Sequence, residues 1–456
     1  MIEKTDVLVI GGSAAGVVAA ATGKFFHPDK DVLMIRKEKT AMIPCGIPYI
    51  FSTVGSTEKN IFPPAMAENA GVRIKYDEVL SINKDEKTAA TADGTTIRYE
   101  KLIFATGSLP KKLRSLPGVD LEGVFTIPKN KEYLDSIQQY LKDKKKVIVV
   151  GGGFIGVEVS DELNKAGLDV TLVEILPNIL NLAFDKELAV RAEELLKERG
   201  VKVLTGTGVK EMTGHGQKVT EVQLTNGTSL ETDAVILSVG YVPNTSLAKE
   251  AGLKLNDCGF IVVDEYMRTP TPDIMAVGDC AEKRDFITRK TTCVMLASTA
   301  CAEGRIAGMN LYKLSALKTF SGTIAIYSTA LDVHGFGTAG LTEAQAIAEE
   351  FDVVSGTFEA PDRHPGCLPG MHNQLVKLIV AKDSGVVIGG EVIGGSSTGE
   401  LTNILGFIIQ NKMNLNAVLT AQIGTQPMLT ASPAVYPLTK AAENAMKKIM
   451  NLQKPI

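Results

Sequence analysis

Apolar residues run in short blocks along this chain, and the blocks repeat. Asp6 to Ile10 (DVLVI) has the pattern of a buried strand. It enters Gly11-Gly12-Ser13-Ala14-Ala15-Gly16 and then an Ala-rich, helix-forming stretch. Lys146 to Val150 (KVIVV) is a second such strand. It enters Gly151-Gly152-Gly153-Phe154-Ile155-Gly156 and a helical pattern with Val157, Val159 and Leu163 as apolar positions. The two motifs start 140 residues apart. Each has a later apolar strand that ends in glycine, Lys101 to Gly107 (KLIFATG) and Ala234 to Gly240 (AVILSVG). The intervals are 96 residues from Gly11 to Gly107 and 89 from Gly151 to Gly240, so the whole unit repeats rather than the motif alone.

The glycines have a physical reading. The first lets a strand turn tightly into a helix, the middle position lets backbone approach a pyrophosphate, and the third lets helix and strand pack closely. The phosphate then meets free N–H groups at a helix N-terminus. Ser13 stands at the middle position of the first motif and is small enough for it. About 20 residues on, a carboxylate normally takes the ribose hydroxyls. In the second motif, Val170 to Val173 leads to Glu174, which predicts a preference for NADH over NADPH. In the first, the corresponding strand, Asp31 to Ile35, ends in Arg36-Lys37, with Glu38 beyond. Two readings stand: Glu38 or backbone binds the ribose, or the adenosine site is unusual.

From about Ser315 the texture changes. Gly322 to Ser328 and Leu375 to Ala381 alternate like antiparallel strands. Thr342 to Glu350 reads as a helix with Thr342 as N-cap, and Leu401 to Gln410 and Leu438 to Met450 as further helices. The fold class expected is α/β, with two Rossmann-like dinucleotide-binding domains followed by a C-terminal α+β domain.

Composition narrows the class. Hydrophobic residues make up 45% of 456, enough to bury cores and exclude disorder. The net charge of −4 argues against a nucleic-acid partner. No apolar run reaches the roughly 18 to 20 residues a bilayer span needs. Met1 to Val7 contains Glu3, Lys4 and Asp6 and lacks a signal-peptide layout, so a cytoplasmic location is expected. The six cysteines form no CxxC, so neither a zinc site nor a thioredoxin-like pair is expected. His364 and His372 flank Cys367 in a Pro/Gly-rich loop read as structural, and no metal site is assigned. Cys280, Cys293 and Cys301 are expected to pack in the core, the last two on one helix.

These motifs, with Thr271-Pro-Asp-Ile-Met-Ala-Val-Gly-Asp279, Gly240-Tyr-Val-Pro-Asn-Thr245, Gly304-Arg305 and Gly340-Leu-Thr-Glu343, resemble the FAD-dependent pyridine nucleotide–disulfide oxidoreductases along nearly the whole chain. The resemblance implies FAD on residues 1–114 and 246–318, NADH or NADPH on 115–245, and a homodimer made through 319–456. It places FAD against Gly11, Ser13, Ala14, Ala15, Gly16, Lys37, Pro44, Cys45, Ala105, Thr106, Gly107, Gly278 and Asp279. It places the nicotinamide nucleotide against Gly151, Gly153, Phe154, Ile155, Gly156, Glu158, Glu174 and Gly240. Phe154 corresponds to a mobile aromatic over the flavin, and Glu158 to a residue orienting the nicotinamide.

Cys45 lies in Ile43-Pro-Cys-Gly-Ile-Pro-Tyr49. Dithiol members of the family carry C-x4-C here, but Ile50 and Thr40 flank Cys45 at that distance, and residues 115–245 contain no cysteine. The resemblance is therefore to the one-thiol branch: coenzyme A–disulfide reductases, persulfide or polysulfide reductases, NADH oxidases and NADH peroxidases. One sulfur cycles through a thiolate, a mixed disulfide or a sulfenic acid, with thiolate formation helped by the flavin and a helix N-terminus. Peroxidases and oxidases carry a histidine where this chain has Ala14, and dithiol reductases carry a His-Pro where it has Gln426-Pro427. The first departure favours a small disulfide, coenzyme A disulfide, persulfide or polysulfide as acceptor over oxygen, and the second disfavours dithiol-reductase chemistry. Coenzyme A–disulfide reductases have paired tyrosines near the C-terminus; Tyr436 is the one tyrosine in the last hundred residues and the second candidate catalytic group. An NADH oxidase, and a flavin electron donor or redox sensor for a protein partner, are the alternatives.

Overall fold

The computed structural model describes residues 1–450. Apolar blocks that are buried on both faces form parallel strands, which need helices on either side to cover them. In the first sheet Ile2–Ile10 lies between Val32–Arg36 and Thr96–Phe104, all parallel. Arg73–Tyr76 extends the sheet beyond Val32–Arg36, and Ile274–Ala276 runs parallel to Thr96–Phe104. An antiparallel hairpin, Val79–Asn83 with Thr88–Thr91, completes it. The helices Ala14–Phe26 and Ala297–Met309 pack together, bringing the chain's distant second segment back onto the first motif. Gly304 and Gly308 permit this contact, since a Cβ on either would lie 2.8 Å or less from backbone of the first helix.

A second parallel sheet runs in the order Val124–Thr126, Ala234–Leu237, Lys146–Val150, Asp169–Val173, Lys202–Leu204. The helices Phe154–Lys165 and Lys186–Glu198 pack on it. A small antiparallel sheet of Val209–His215, Lys218–Leu224 and Ser229–Glu231 is inserted before the strand Ala234–Leu237. Ser108–Pro110 pairs with Tyr241–Pro243, stitching the two nucleotide units where the chain passes between them.

The C-terminal sheet is antiparallel, in the order Tyr327–Leu331, His334–Gly340, Val387–Gly394, Asn373–Ala381, Val353–Pro361. The helices Thr398–Gln410 and Pro437–Ile449 cover it through Leu401, Leu405, Leu438 and Ala441. Both match the helices expected at 401–410 and 438–450 within a few residues. Thr342 caps the helix Glu343–Ala348 in a reciprocal capping box with Gln345. The expected strand over 322–328 is corrected: only Thr323 makes an isolated bridge, and the strand proper begins at Tyr327. Gly322 sits at φ +106 beneath the backbone of Arg284, which breaks the ladder there.

Lys377 ties this domain to the nicotinamide unit. Its ammonium reaches Asp185 at 2.8 Å, Glu187 at 2.5 Å and Glu343 at 2.9 Å. Asp185 in turn accepts the N–H groups of Glu343 and Ala344. None of the helices over residues 1–450 is long and apolar enough to cross a membrane.

Candidate functional site

The two glycine turns are built alike. Gly11 and Gly151 take φ of +111° and +107°, which an L side chain rarely adopts. A Cβ on Gly16 would fall 1.9 Å from the Gly11 carbonyl oxygen, and one on Gly156 1.8 Å from that of Gly151. These glycines are packed, while Gly153 has nothing within 4 Å of a built Cβ and faces open space. The helices that follow, Ala14–Phe26 and Phe154–Lys165, begin without a side-chain cap, so their first N–H groups are free to receive an anion.

Both turns open into one cavity of about 1060 Å³. Ser13, Ala14 and Ala15 line it from the first turn, and Gly151, Gly153 and Glu174 from the second motif. Pro44, Cys45, Phe154, Glu158, Gly278 and Asp279 lie along it. Ala105, Gly107, Ile155 and Gly240 also contribute to the wall. Gly11, Gly16 and Gly156 shape the turns without reaching the cavity. Thr106 is also off the wall; its hydroxyl donates to the Asn244 carbonyl. Lys37 is exposed and paired with Glu78 at 2.8 Å, so it is not brought to the site. Tyr436 is not brought there either: it packs with the C-terminal core and does not line the cavity of its own chain.

At the end of the strand Val32–Arg36, Arg36 and Glu38 differ in burial. Arg36 is 4% exposed, whereas Glu38 is exposed. The Arg36 side chain lies against Gly12, its guanidinium stands over the Tyr76 ring, and its Nη2 donates to the Lys39 carbonyl. Its Nε and Nη1 are buried with no partner among the described residues. Two orphaned donors beside a phosphate-binding turn fit a ligand that brings oxygens, as the ribose and diphosphate of FAD do.

Cys45 sits inside the one-turn 3₁₀ helix Pro44–Gly46. Contacts from both nucleotide units hold it. Asn60 donates its amide to the Ile43 carbonyl at 3.0 Å, and Gln138 donates to the Ile50 carbonyl at 2.9 Å. Glu162, on the helix Phe154–Lys165, accepts from the N–H and hydroxyl of Thr53 at 2.5 and 2.6 Å. Burial pushes the Cys45 thiol up, Glu158 pushes it further, and Lys129 pulls it down.

Glu158 itself is pushed up to about 7 by burial, against the 2.7 Å hydrogen bond it accepts from Thr329. It is therefore neutral below pH 7 and charged above, and only the charged form raises Cys45. Glu158→Gln should shift the pH profile of Cys45 alkylation to lower pH, measured as the iodoacetamide rate against pH. An unmoved profile would show that Glu158 does not act on the thiol.

Asp279 is held by groups that no local sequence signal marks. Lys129 reaches its Oδ2 at 2.8 Å and Ser108 donates to the same oxygen at 2.7 Å. Burial alone would push the Asp279 carboxyl up, but Lys129 and Ser108 outweigh it and keep the group below the usual carboxylate range. Beneath it, Glu303 accepts the Gly278 N–H at 2.7 Å, and Lys283 donates to the Gly278 carbonyl at 2.6 Å. Tyr327 is another missed residue. It lines the cavity and stacks on Phe154, with centroids 5.0 Å apart and planes 11° apart.

Residues 5–304 match the model of the pyridine nucleotide-disulphide oxidoreductase family, and 332–434 match the dimerisation domain of that family. The chain belongs to this family. It is 31% identical to an NADH oxidase of Methanocaldococcus jannaschii, over 97% of this chain and 99% of the relative. It is 30% identical to an NAD(P)H sulfur oxidoreductase (CoA-dependent) of Pyrococcus abyssi, over 91% of this chain and 93% of the relative. The NAD-dependent persulfide reductase of A. fulgidus superposes with a TM-score of 0.89 at 29% identity, covering 99% of this chain and 85% of that one. As a pyridine nucleotide–disulfide oxidoreductase the chain is an FAD-dependent NAD(P)H enzyme. FAD, when bound, relays two electrons from the nicotinamide to the acceptor side. The protein supplies the two turns, the anionic Asp279, the stacked ring pair and the thiol.

Glu174 carries the nucleotide prediction. Its carboxylate accepts from the Gly152 N–H at 2.5 Å and the Leu176 N–H at 2.7 Å, so it shapes the turn it also lines. Glu174→Ala should weaken NADH by about 1–3 kcal/mol, the range for stranded hydrogen-bonding groups, and NADPH by less. Titration of both nucleotides against the FAD-loaded protein measures this. Equal losses would assign Glu174 to turn shape alone.

Proposed function

We propose that the enzyme passes electrons from NADH, through FAD, to a low-molecular-weight persulfide, polysulfide or disulfide, with Cys45 as the reacting sulfur. The observation that carries the reading is the make-up of the cavity. Cys45 is the one cysteine on its described wall, and the wall has no histidine, Ala14 standing in the first turn. A lone thiol suits attack on an S–S bond, forming a mixed disulfide that two electrons then resolve. A wall without an imidazole offers no such group to protonate a departing peroxide oxygen. The cysteine thiol, raised by the protein alone, needs an added positive or electron-accepting neighbour to become a thiolate near neutral pH.

The residue assignments and the three-part division at 1–114 with 246–318, 115–245 and 319–456 belong to this reading. So does a homodimer made through the dimerisation domain. For Tyr436, a part in the reaction requires the cavity of a second protomer.

The test is anaerobic NADH turnover by the purified protein with coenzyme A disulfide, polysulfide and hydrogen peroxide, and oxygen in a separate assay. Turnover with a sulfur acceptor well above that with oxygen supports the reading. Oxygen as the fastest acceptor would favour an NADH oxidase, the activity named for the M. jannaschii relative. Flavin reduction with no turnover of any small acceptor would point to a protein partner.

A further inference from the structure

Residues 175–185 follow Glu174 and belong to neither strand nor helix; the helix Lys186–Glu198 begins only beyond them. Ile175, Leu176, Asn178, Leu180, Leu182 and Ala183 of this segment line the cavity. Ile175 and Leu182 are large apolar side chains left 71% and 76% exposed. An apolar wall that the protein itself leaves uncovered suits the surface of a ligand. The first half of the segment is held by its own nucleotide unit. The Leu176 N–H donates to Glu174 at 2.7 Å, and the Leu180 N–H donates to the Gly152 carbonyl at 2.7 Å.

The second half is held by a different domain. Gln345 donates its side-chain amide to the Leu182 carbonyl at 3.0 Å. The Phe184 ring meets Phe336 edge-on, with centroids 6.3 Å apart. The Asp185 N–H donates to Glu391 at 2.6 Å, and the Asp185 carboxylate takes the Lys377 ammonium at 2.8 Å. Gln345, Phe336, Lys377 and Glu391 all lie within the dimerisation-domain match at 332–434. Lys377 is 4% exposed and remains charged there. Burial pulls it toward the neutral amine, but its hydrogen bonds to Asp185, Glu187 and Glu343 outweigh this. Neither Lys377 nor Gln345 lines the cavity, so both reach it only through the segment they hold.

We propose that Lys377 and Gln345 are positioning residues for the nicotinamide nucleotide: from the dimerisation domain they fix residues 182–185, and with them the wall beside the adenosine half of the nucleotide. This rests on the placement of NADH on the second glycine turn with its ribose at Glu174. Nucleotide affinity is then set in part by a domain that has no nucleotide motif of its own. If these contacts only joined the domains, their loss would change stability and leave affinity alone.

The test uses the FAD-loaded full-length protein and ADP-ribose, which has the adenosine and diphosphate of NADH without the nicotinamide, with Kd measured by calorimetry. Gln345→Glu keeps a residue able to complete the cap at Thr342 but turns a carboxylate toward the Leu182 carbonyl. Lys377→Met keeps an unbranched chain and removes the charge. Each should weaken ADP-ribose by roughly 2- to 30-fold, the range for changes along a coupling network. Each should also raise the KM for NADH with kcat retained, and speed amide hydrogen exchange over residues 175–185 while FAD content holds. Wild-type ADP-ribose affinity in Gln345→Glu overturns the proposal, whether or not Lys377→Met folds. Glu174→Ala separates the two ideas. If it weakens ADP-ribose and Gln345→Glu does not, the placement of the nucleotide stands and the part given to the dimerisation domain falls. If neither weakens it, the placement falls too.

Discussion

Cys45→Ser should leave the reduction of bound FAD by NADH at its wild-type rate while turnover of any sulfur acceptor falls on the order of 10³-fold or more, the scale for removing a catalytic nucleophile. The reason is spatial. In the proposed assignment NADH is held on the second glycine turn with Gly151, Gly153, Phe154 and Glu174, and Cys45 lies on a different segment of the wall. Serine occupies nearly the same volume but neither ionises near neutral pH nor forms a disulfide. Stopped-flow bleaching of the flavin separates the first half from steady-state turnover, which reports the second. The corresponding serine variants of Cys258, Cys280, Cys293, Cys301 and Cys367 should keep turnover. If Cys45→Ser retained sulfur-acceptor activity, Cys45 would be a packing residue and the proposed function would shift to an oxidase or an electron donor. Residual oxygen consumption in this variant should yield hydrogen peroxide, measured with a peroxidase-coupled dye.

The second large effect is Gly156→Ala. Its Cβ would stand 1.8 Å from the Gly151 carbonyl oxygen and 2.7 Å from the Ser238 hydroxyl, so backbone has to move. Overpacking of this kind costs about 1–3 kcal/mol. The displaced element is the helix Phe154–Lys165, which carries Phe154, Glu158 and the Glu162 contact to Thr53. NADH affinity should fall by roughly 10- to 100-fold if most of that cost is taken from binding. FAD content and reduction by dithionite should be retained, because the first glycine turn lies on a separate sheet. Loss of FAD together with NADH binding would show that the two units do not hold their nucleotides independently.

Much of this architecture was legible along the chain because its signals are local. Gly11 and Gly151 need positive φ, and Gly16 and Gly156 need the absence of a Cβ, for reasons confined to one strand–turn–helix unit. The strand Lys146–Val150 matched residue for residue, since four consecutive buried apolar positions after Lys146 leave no alternative face. The helix at Thr342 was marked by its own cap. Gly322 to Ser328 misled because alternation was read without the ladder partner that Gly322, beneath Arg284, cannot supply. Cys293 misled because spacing from Cys301 was taken as helical, whereas the helix starts only at Ala297.

By itself, then, the sequence determined two nucleotide-binding units, a third domain of different texture, and a single thiol after the second strand of the first unit. Backbone conformation, apolar periodicity and capping act over a few residues, and a linear reading contains all of them. Tertiary structure alone decided which side chains meet. Lys129 reaches Asp279 across 150 residues of chain, Glu158 meets Thr329 across 171, and Tyr327 comes from the C-terminal domain to stack on Phe154. Arg36, a departure in the sequence, became a buried guanidinium with two free donors only once Gly12 and Tyr76 closed around it. Charge and hydrogen bonding act through space, so the ionisation of Cys45, Glu158 and Asp279 depends on neighbours that the order of residues does not reveal.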